Sequence, residues 1–284
     1  MSNSECRVLS NPINLYLTLP LPMTQFQEKT AITRIERLTD DIFRMTLESS
    51  EIASAAKPGQ FVMIRTGSGK DPLLRRPFSI SQVSNGKYFQ ILFKVVGRGT
   101  SLLAHCREGE SLSIIGPLGS GFQMKCGVTN CLVGGGMGIA PLLFLAKSML
   151  RKCTVKPPVI VLGARNKEEL APLIEDFKEL GLHVHAATDD GSLGTHGLVT
   201  DVLKDLDFES PVEISVCGPT PMMTAVHFFC KEKGLGCQVS METAMACGMG
   251  ACLGCIVPLA EGGYAHACSD GPVFDAKELL WQIR

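Results

Sequence analysis

Leu132-Val133-Gly134-Gly135-Gly136-Met137-Gly138-Ile139-Ala140-Pro141-Leu142 is an apolar run that breaks into glycines and resumes behind a proline. A strand, a glycine turn and a helix with proline in its first turn predict the opening unit of a parallel, doubly wound α/β domain. The segments downstream keep that rhythm. Buried strands are predicted at Cys131–Val133, Val159–Leu162, His183–Thr188 and Val212–Val216, with helices at 140–152, 167–180, 197–204 and 219–233. In such a sheet the ligand crevice lies at the strand ends. The turn at Gly134, Gly136, Gly138 and Ala140 and the one at Cys217-Gly218-Pro219 should therefore face one bound molecule. Glycines there let backbone N–H groups approach a diphosphate at a helix N-terminus, although close strand–helix packing alone would also ask for them. Pro219 and Pro221 are equally compatible with a plain helix start.

Upstream the pattern changes. Between Lys29 and Ile115 short β-branched and apolar runs (31–35, 43–47, 61–65, 89–96 and 111–115) are separated by Pro58-Gly59, Gly67 to Gly69, Asn85-Gly86 and Gly116-Pro117. That predicts an antiparallel barrel or sandwich. Within it, Arg76-Pro77-Phe78-Ser79, Phe93-Lys94 and Gly97-Arg98-Gly99-Thr100 combine a guanidinium, a hydroxyl, glycines and a ring, which suits a phosphate and a flat heterocycle. The same residues also make ordinary strands and turns.

Twelve cysteines occur in 284 residues, and four of them crowd into Cys247-x4-Cys252-x2-Cys255-x12-Cys268. This is the plant-type [2Fe-2S] spacing, in which a tight loop supplies three thiolates and a later residue the fourth. Gly248, Gly250 and Gly254 give that loop the backbone freedom it needs. Structural zinc, the alternative, usually takes two separate C-x2-C pairs. The other eight cysteines are scattered, and with no export signal in view a disulfide framework is not expected.

Bulk properties narrow the partners. Lys plus Arg number 27 and Asp plus Glu 28, a net charge of -1, so nucleic acid is not an expected partner. No apolar run reaches the roughly 18 residues of a membrane span. The apolar stretch from Ile13 to Met23 is interrupted by Pro20 and Pro22 and has no basic flank, so residues 1–26 are expected to be a loose extension, with Met23 an alternative start.

Taken in order, the Arg76–Ser79, Gly134–Pro141 and Cys217–Pro219 motifs resemble the ferredoxin-NADP reductase superfamily, in which an FAD-binding β-barrel precedes a nicotinamide-binding α/β domain. With the cysteine loop and the Ser269-Asp270-Gly271-Pro272-Val273-Phe274-Asp275 that follows Cys268, residues 28–284 resemble more narrowly the electron-transfer subunits of class 1B dihydroorotate dehydrogenase. The resemblance implies an FAD-binding antiparallel β-barrel at 27–125, a doubly wound NAD-binding α/β domain at 126–235 and a [2Fe-2S] subdomain at 236–284. It places FAD on Arg76, Pro77, Phe78, Ser79, Leu92, Phe93, Lys94, Gly99 and Thr100. Lys94 departs from the Arg of many relatives. NAD(H) falls on Gly134, Gly136, Gly138, Ala140, Asp189, Asp190, Cys217, Gly218 and Pro219, and the cluster on Cys247, Cys252, Cys255 and Cys268.

No side chain is implied as acid or base. The implied partner is an FMN-containing dihydroorotate dehydrogenase catalytic subunit, in a cytoplasmic heterotetramer with two copies of each that serves pyrimidine biosynthesis. A rival within the fold is the small subunit of NADH-dependent ferredoxin-NADP reductase or sulfide dehydrogenase complexes. There an Asp tends to replace the first cluster cysteine, so Cys247 favours the dihydroorotate reading. A rival of another class is a non-catalytic zinc-bound or redox-sensing regulator.

One further motif bears on the nucleotide. Thr188-Asp189-Asp190-Gly191-Ser192 closes the third predicted α/β strand, and its carboxylates would repel a 2′-phosphate while accepting a bond from a free 2′-hydroxyl. That predicts NAD(H) over NADP(H). A solvated Asp-Asp-Gly turn is the plain alternative.

Overall fold

The computed structural model describes residues 24–281 apart from residues 68, 70, 154, 155 and 210. Most of the expected N-terminal extension, including Met23, lies outside the described residues. Six strands, β1 (Phe26–Arg37), β2 (Ile42–Glu48), β3 (Phe61–Arg65), β4 (Arg76–Ser84), β5 (Tyr88–Lys94) and β6 (Ser111–Leu118), close into a barrel in the order β1-β2-β5-β4-β3-β6. All six pairings are antiparallel. Alternation drives closure: Met45 and Leu47 of β2 and Phe89, Ile91 and Phe93 of β5 point inward and are buried. The β4–β5 hairpin turns on Asn85 (φ 53°) and Gly86 (φ 60°), both left-handed as a type I′ turn requires. Two short helices, α1 (Ser50–Ala55) and α2 (Arg98–Ala104), plug the barrel's connections.

The second layer system begins with β7 (Thr129–Gly135), a 3-10 turn at Gly136–Gly138 and α3 (Ile139–Lys152). It continues through β8 (Val159–Ala164), α4 (Lys167–Glu179), β9 (Val184–Thr188), β10 (Thr195–His196), α5 (Val199–Asp205), β11 (Val212–Cys217), α6 (Thr220–Lys233) and β12 (Gly236–Ser240). Beyond these lie a two-stranded hairpin of β13 (Ile256–Pro258) and β14 (Tyr264–His266), and then β15 (Val273–Asp275). The large sheet runs β10-β9-β8-β7-β11-β12-β15, and only β15 is antiparallel to its neighbour. Strand order reverses between β7 and β11, so the Gly134 and Cys217 turns stand side by side at the switch point.

In two places the structure differs from the sequence reading. The α/β sheet does not stop at residue 235: β12 and β15 extend it, because Cys237, Gln238, Val239 and Ser240 are buried on both faces of the strand. The cysteine-rich lobe is thus an excursion from the sheet edge, its ends tied where the Met241 N–H donates to the Pro272 carbonyl at 2.8 Å. The second difference is a disulfide. Cys126 and Cys153, expected to be free, are bonded, because β7 and α3 run antiparallel and bring the ends of that unit to a Cα separation of 5.1 Å. No helix among the described residues is long and apolar enough to cross a membrane.

A single apolar cluster joins the three parts. Phe61, Met63, Ile115 and Leu118 of the barrel pack with Ile214 and Val239 of the sheet and with Cys255, Val257 and Cys268 of the cysteine lobe.

Candidate cofactor and nucleotide sites

The cysteine lobe has the chemistry of an iron–sulfur site. Cys255 and Cys268 are each 2% exposed with their sulfurs 3.1 Å apart, while Cys247 and Cys252 lie on the more open side, Cys252 at the surface. Backbone N–H groups aim at the sulfurs: those of Met249 and Cys252 reach Cys247 Sγ at 3.5 and 3.4 Å, Gly250 N–H reaches Cys268 Sγ at 3.1 Å, and Cys268 N–H reaches Cys255 Sγ at 3.4 Å. Such donors stabilise thiolate charge. Although burial pulls the other way, those on Cys247 hold its thiol down at about 6; burial and the Cys255 neighbour push Cys268 up to about 12. Cys255 and Cys268 stand as a close pair, as two thiolates on one iron of a two-iron cluster would. Gly248 (φ 74°), Gly250 (φ 80°) and Leu253 (φ 57°) make the loop left-handed, and a Cβ on Gly248 would lie 2.4 Å from Met63 Cγ in β3. The donor set and the cradle fit a [2Fe-2S] cluster.

The expected FAD residues divide in two. Phe78, Leu92 and Phe93 are core residues: Phe78 meets Phe93 edge-on at 5.9 Å, and Leu92 packs with Ile139 and Ala140 of the α/β domain. Arg76, Pro77 and Ser79 are half-buried, and Gly99 brings the start of α2 against Arg76. Thr66, which sequence reasoning missed, holds a buried hydroxyl with no partner among the described residues, beside Arg76 and Gly99. An orphaned buried hydroxyl next to a guanidinium is what a phosphate- or ribityl-bearing ligand would satisfy. Thr100 spends its hydroxyl on its own turn, accepting from Val96 N–H at 2.9 Å and Gly97 N–H at 3.2 Å.

The Lys94 ammonium binds Glu169 of α4 at 2.7 Å and Asp41 at 3.2 Å, bridging the barrel and the α/β domain. It does so at the wall of a cavity of about 460 Å³ at the sheet's switch point. Gly136, Arg165, Glu169, Asp189 and Pro219 line this cavity with it.

The predicted nucleotide residues separate by role. Only Gly136 combines a left-handed φ of 54° with open space where a Cβ would stand. Gly134 packs against Ile139, Leu142 and Leu162, a Cβ on Gly138 would stand 2.4 Å from the Cys217 backbone, and Gly218 packs against Met222 and Gly135. Ala140 and Cys217 are buried, and burial followed by nearby Glu242 pushes the Cys217 thiol up. Asp189 faces the cavity, whereas Asp190 turns back to accept from Ser192 N–H at 3.0 Å and Ser192 Oγ at 2.6 Å, bonds that hold its carboxyl below the usual range. Sequence reasoning also missed Arg165 and Glu169. Glu169 pairs with Arg165 and Lys94, and these cations, Arg165 foremost, hold its carboxyl at about 2.

Comparison with known proteins agrees with this layout. Family models for an oxidoreductase FAD-binding domain, an oxidoreductase NAD-binding domain and the iron-sulfur cluster binding domain of dihydroorotate dehydrogenase B match residues 29–122, 132–227 and 242–280. The dihydroorotate dehydrogenase B (NAD(+)) electron transfer subunit of Desulforamulus reducens is 37% identical over 258 residues, covering 88% of this chain and 97% of that protein. This chain belongs to that family of electron transfer subunits. The Lysinibacillus sphaericus member is 39% identical, covering 87% of this chain and 96% of its own length. Among solved structures, a chain of the NADH-dependent reduced ferredoxin-NADP oxidoreductase superposes with a TM-score of 0.80 at 32% identity, covering 89% of this chain and 90% of that one. The ferredoxin reductase of carbazole 1,9a-dioxygenase (TM-score 0.65, 23% identity) shares the fold. The chain is an oxidoreductase subunit with FAD-, NAD- and iron–sulfur-binding domains.

Proposed function

We propose that this chain carries electrons from the FMN of a dihydroorotate dehydrogenase catalytic subunit to NAD+, in a cytoplasmic heterotetramer of two copies of each subunit. The observation that carries this reading is the position of β4. Its Arg76–Ser79 segment pairs on one side with β3, whose Met63 lies opposite Pro77 and touches Gly248 of the cysteine loop. On its other side lies β5, whose last residue, Lys94, lines the nucleotide cavity. A flavin on β4 is flanked by a one-electron site and a hydride site, and FAD supplies the exchange between them.

On this reading Arg76, Pro77, Ser79, Thr66 and Gly99 hold FAD, with Phe78, Leu92 and Phe93 supporting the strands beneath it. Gly136, Asp189 and Pro219 meet the nucleotide, and Cys247, Cys252, Cys255 and Cys268 hold iron. Met249, Leu253, Ile256 and Tyr264 of the cysteine lobe are exposed, as is Cys252, and on this reading they form the docking face for the FMN subunit. The purified chain should show flavin and iron–sulfur absorbance and reduce a dye with NADH. Dihydroorotate-dependent NAD+ reduction should appear only after reconstitution with the FMN subunit. Dihydroorotate oxidation by this chain alone, or no binding to that subunit, overturns the reading. The similarity to a bifurcating NADP oxidoreductase favours a second reading, in which ferredoxin is the partner. Ferredoxin-dependent turnover in place of dihydroorotate-dependent turnover would select it.

A further inference from the structure

Arg165 opens the turn after β8, the strand beside the glycine-turn strand β7. In a doubly wound domain that position borders the adenosine ribose, and an Arg there is the usual receiver of an NADP 2′-phosphate. The backbone holds it next to Asp189: Asp189 N–H donates to Ala164 O and Asp190 N–H to Arg165 O, both at 3.2 Å. The chain thus has a phosphate-reading guanidinium beside a phosphate-repelling carboxylate. Arg165 is not free, however. Its Nε lies 3.1 and 3.2 Å from the two Glu169 oxygens, and its Nη2 also bonds Glu169 Oε1.

A bare i,i+4 pair on a helix surface would exchange readily with a phosphate, because the Arg165 side chain is 68% exposed. This pair is pinned from behind. The Glu169 side chain is only 16% exposed and is gripped by Lys94 from the other domain at 2.7 Å. Lys94 is anchored in turn by Asp41. Glu169 cannot follow Arg165 outward without abandoning Lys94, and a 2′-phosphate arriving at Arg165 meets the Glu169 and Asp189 carboxylates together.

We propose that Glu169 is a specificity-determining residue that masks Arg165 from the 2′-phosphate of NADP(H), with Lys94 of the FAD barrel holding the mask in place. The inference rests on the NAD reading above and deepens it: the chain carries the cation an NADP enzyme uses and cancels it. Discrimination then depends on the two domains staying docked, since the residue that fixes Glu169 belongs to the barrel.

The test is calorimetric titration of the FAD- and cluster-loaded protein with 2′,5′-ADP and with 5′-AMP, alongside NADH- and NADPH-dependent dye reduction. Glu169→Gln should bind 2′,5′-ADP about tenfold more tightly than the wild type, with 5′-AMP affinity within about twofold, the scale of one charge-assisted pair gained. Adding Arg165→Ala should remove that gain. Glu169→Asp, which keeps the charge but draws it back, should fall between, and it serves should Glu169→Gln lose flavin absorbance. An unchanged 2′,5′-ADP affinity in Glu169→Gln, or a gain that survives Arg165→Ala, overturns the mask while leaving NAD preference standing. A wild-type protein that binds 2′,5′-ADP as tightly as 5′-AMP overturns both.

Discussion

The turn at Gly134–Gly138 and the loop at Cys247–Cys255 both follow a buried strand and are dense in glycine, yet their glycines answer to different constraints. In the turn, Gly134, Gly135 and Gly138 have φ in the ordinary range and are required by their neighbours, and Gly136 alone is left-handed and open. In the loop, Gly248 and Gly250 are both left-handed, and Gly248 is also walled in by Met63. One region lets a backbone pass close to a helix and a ligand. The other bends the chain so that N–H groups point at sulfur. A glycine motif therefore reports a ligand only where conformation, and not crowding, demands the glycine.

The largest effect should come from the loop. Gly248→Ala adds a methyl that clashes with Met63 at a left-handed position, and Cys268→Ser removes a proposed ligand. Iron and sulfide analysis should find the cluster lost in each while FAD is retained; a full complement of iron in Cys268→Ser would remove that residue from the ligand set. In the turn, Gly138→Ala should lower stability by about 1–3 kcal/mol, because the methyl would overlap the Cys217 backbone. Denaturant unfolding measures this. Gly136→Ala, with no clash, should cost about 1–2 kcal/mol from its left-handed backbone and raise the KM for NADH more than Gly138→Ala does. Equal KM values for the two would place both glycines in packing.

How far the sequence reached follows the same line. The cluster was legible because its ligands are side chains at fixed spacing, and the α/β sheet because its strands are continuous apolar runs. Helices α1 and α2, of six and seven residues, are too short to show a period. β4 carries no clear strand signal, since Arg76 and Pro77 interrupt its alternation. β12 was hidden by the cysteines and glycines around it. The Lys94–Glu169–Arg165 arrangement had no signature, because Lys94 and Glu169 are 75 residues apart and meet only across the domain boundary. Thr66 was invisible for a similar reason: only the packing of Gly99 and Arg76 around its hydroxyl singles it out.

Smaller effects sharpen the contrast at the nucleotide cavity. Asp189→Asn should reduce NADH-over-NADPH discrimination by about tenfold, whereas Asp190→Asn, whose carboxylate serves its own turn, should change it by less than about twofold. Steady-state kinetics with both nucleotides decides, and equal effects would mean the two carboxylates act as one. The smallest effect is with pH. Glu169 is held at about 2 against an ordinary 4.5, so its stabilisation is complete above that ordinary value and is lost as pH falls toward 2. The melting-temperature difference between wild type and Glu169→Gln should be constant from about pH 5 to pH 8 and shrink below about pH 4. A difference that varied across the neutral range would assign the titration to another group.

The contact between Met63 and Gly248 has a consequence beyond the barrel. Met63 is fully buried in a central barrel strand, and the cysteine loop takes its curvature partly from that side chain. A loop whose wall is the surface of another domain keeps its shape only while that domain stays packed against it. A change at Met63 inside the barrel is therefore expected to be felt at the cysteine lobe, although Met63 belongs to neither the flavin nor the iron site.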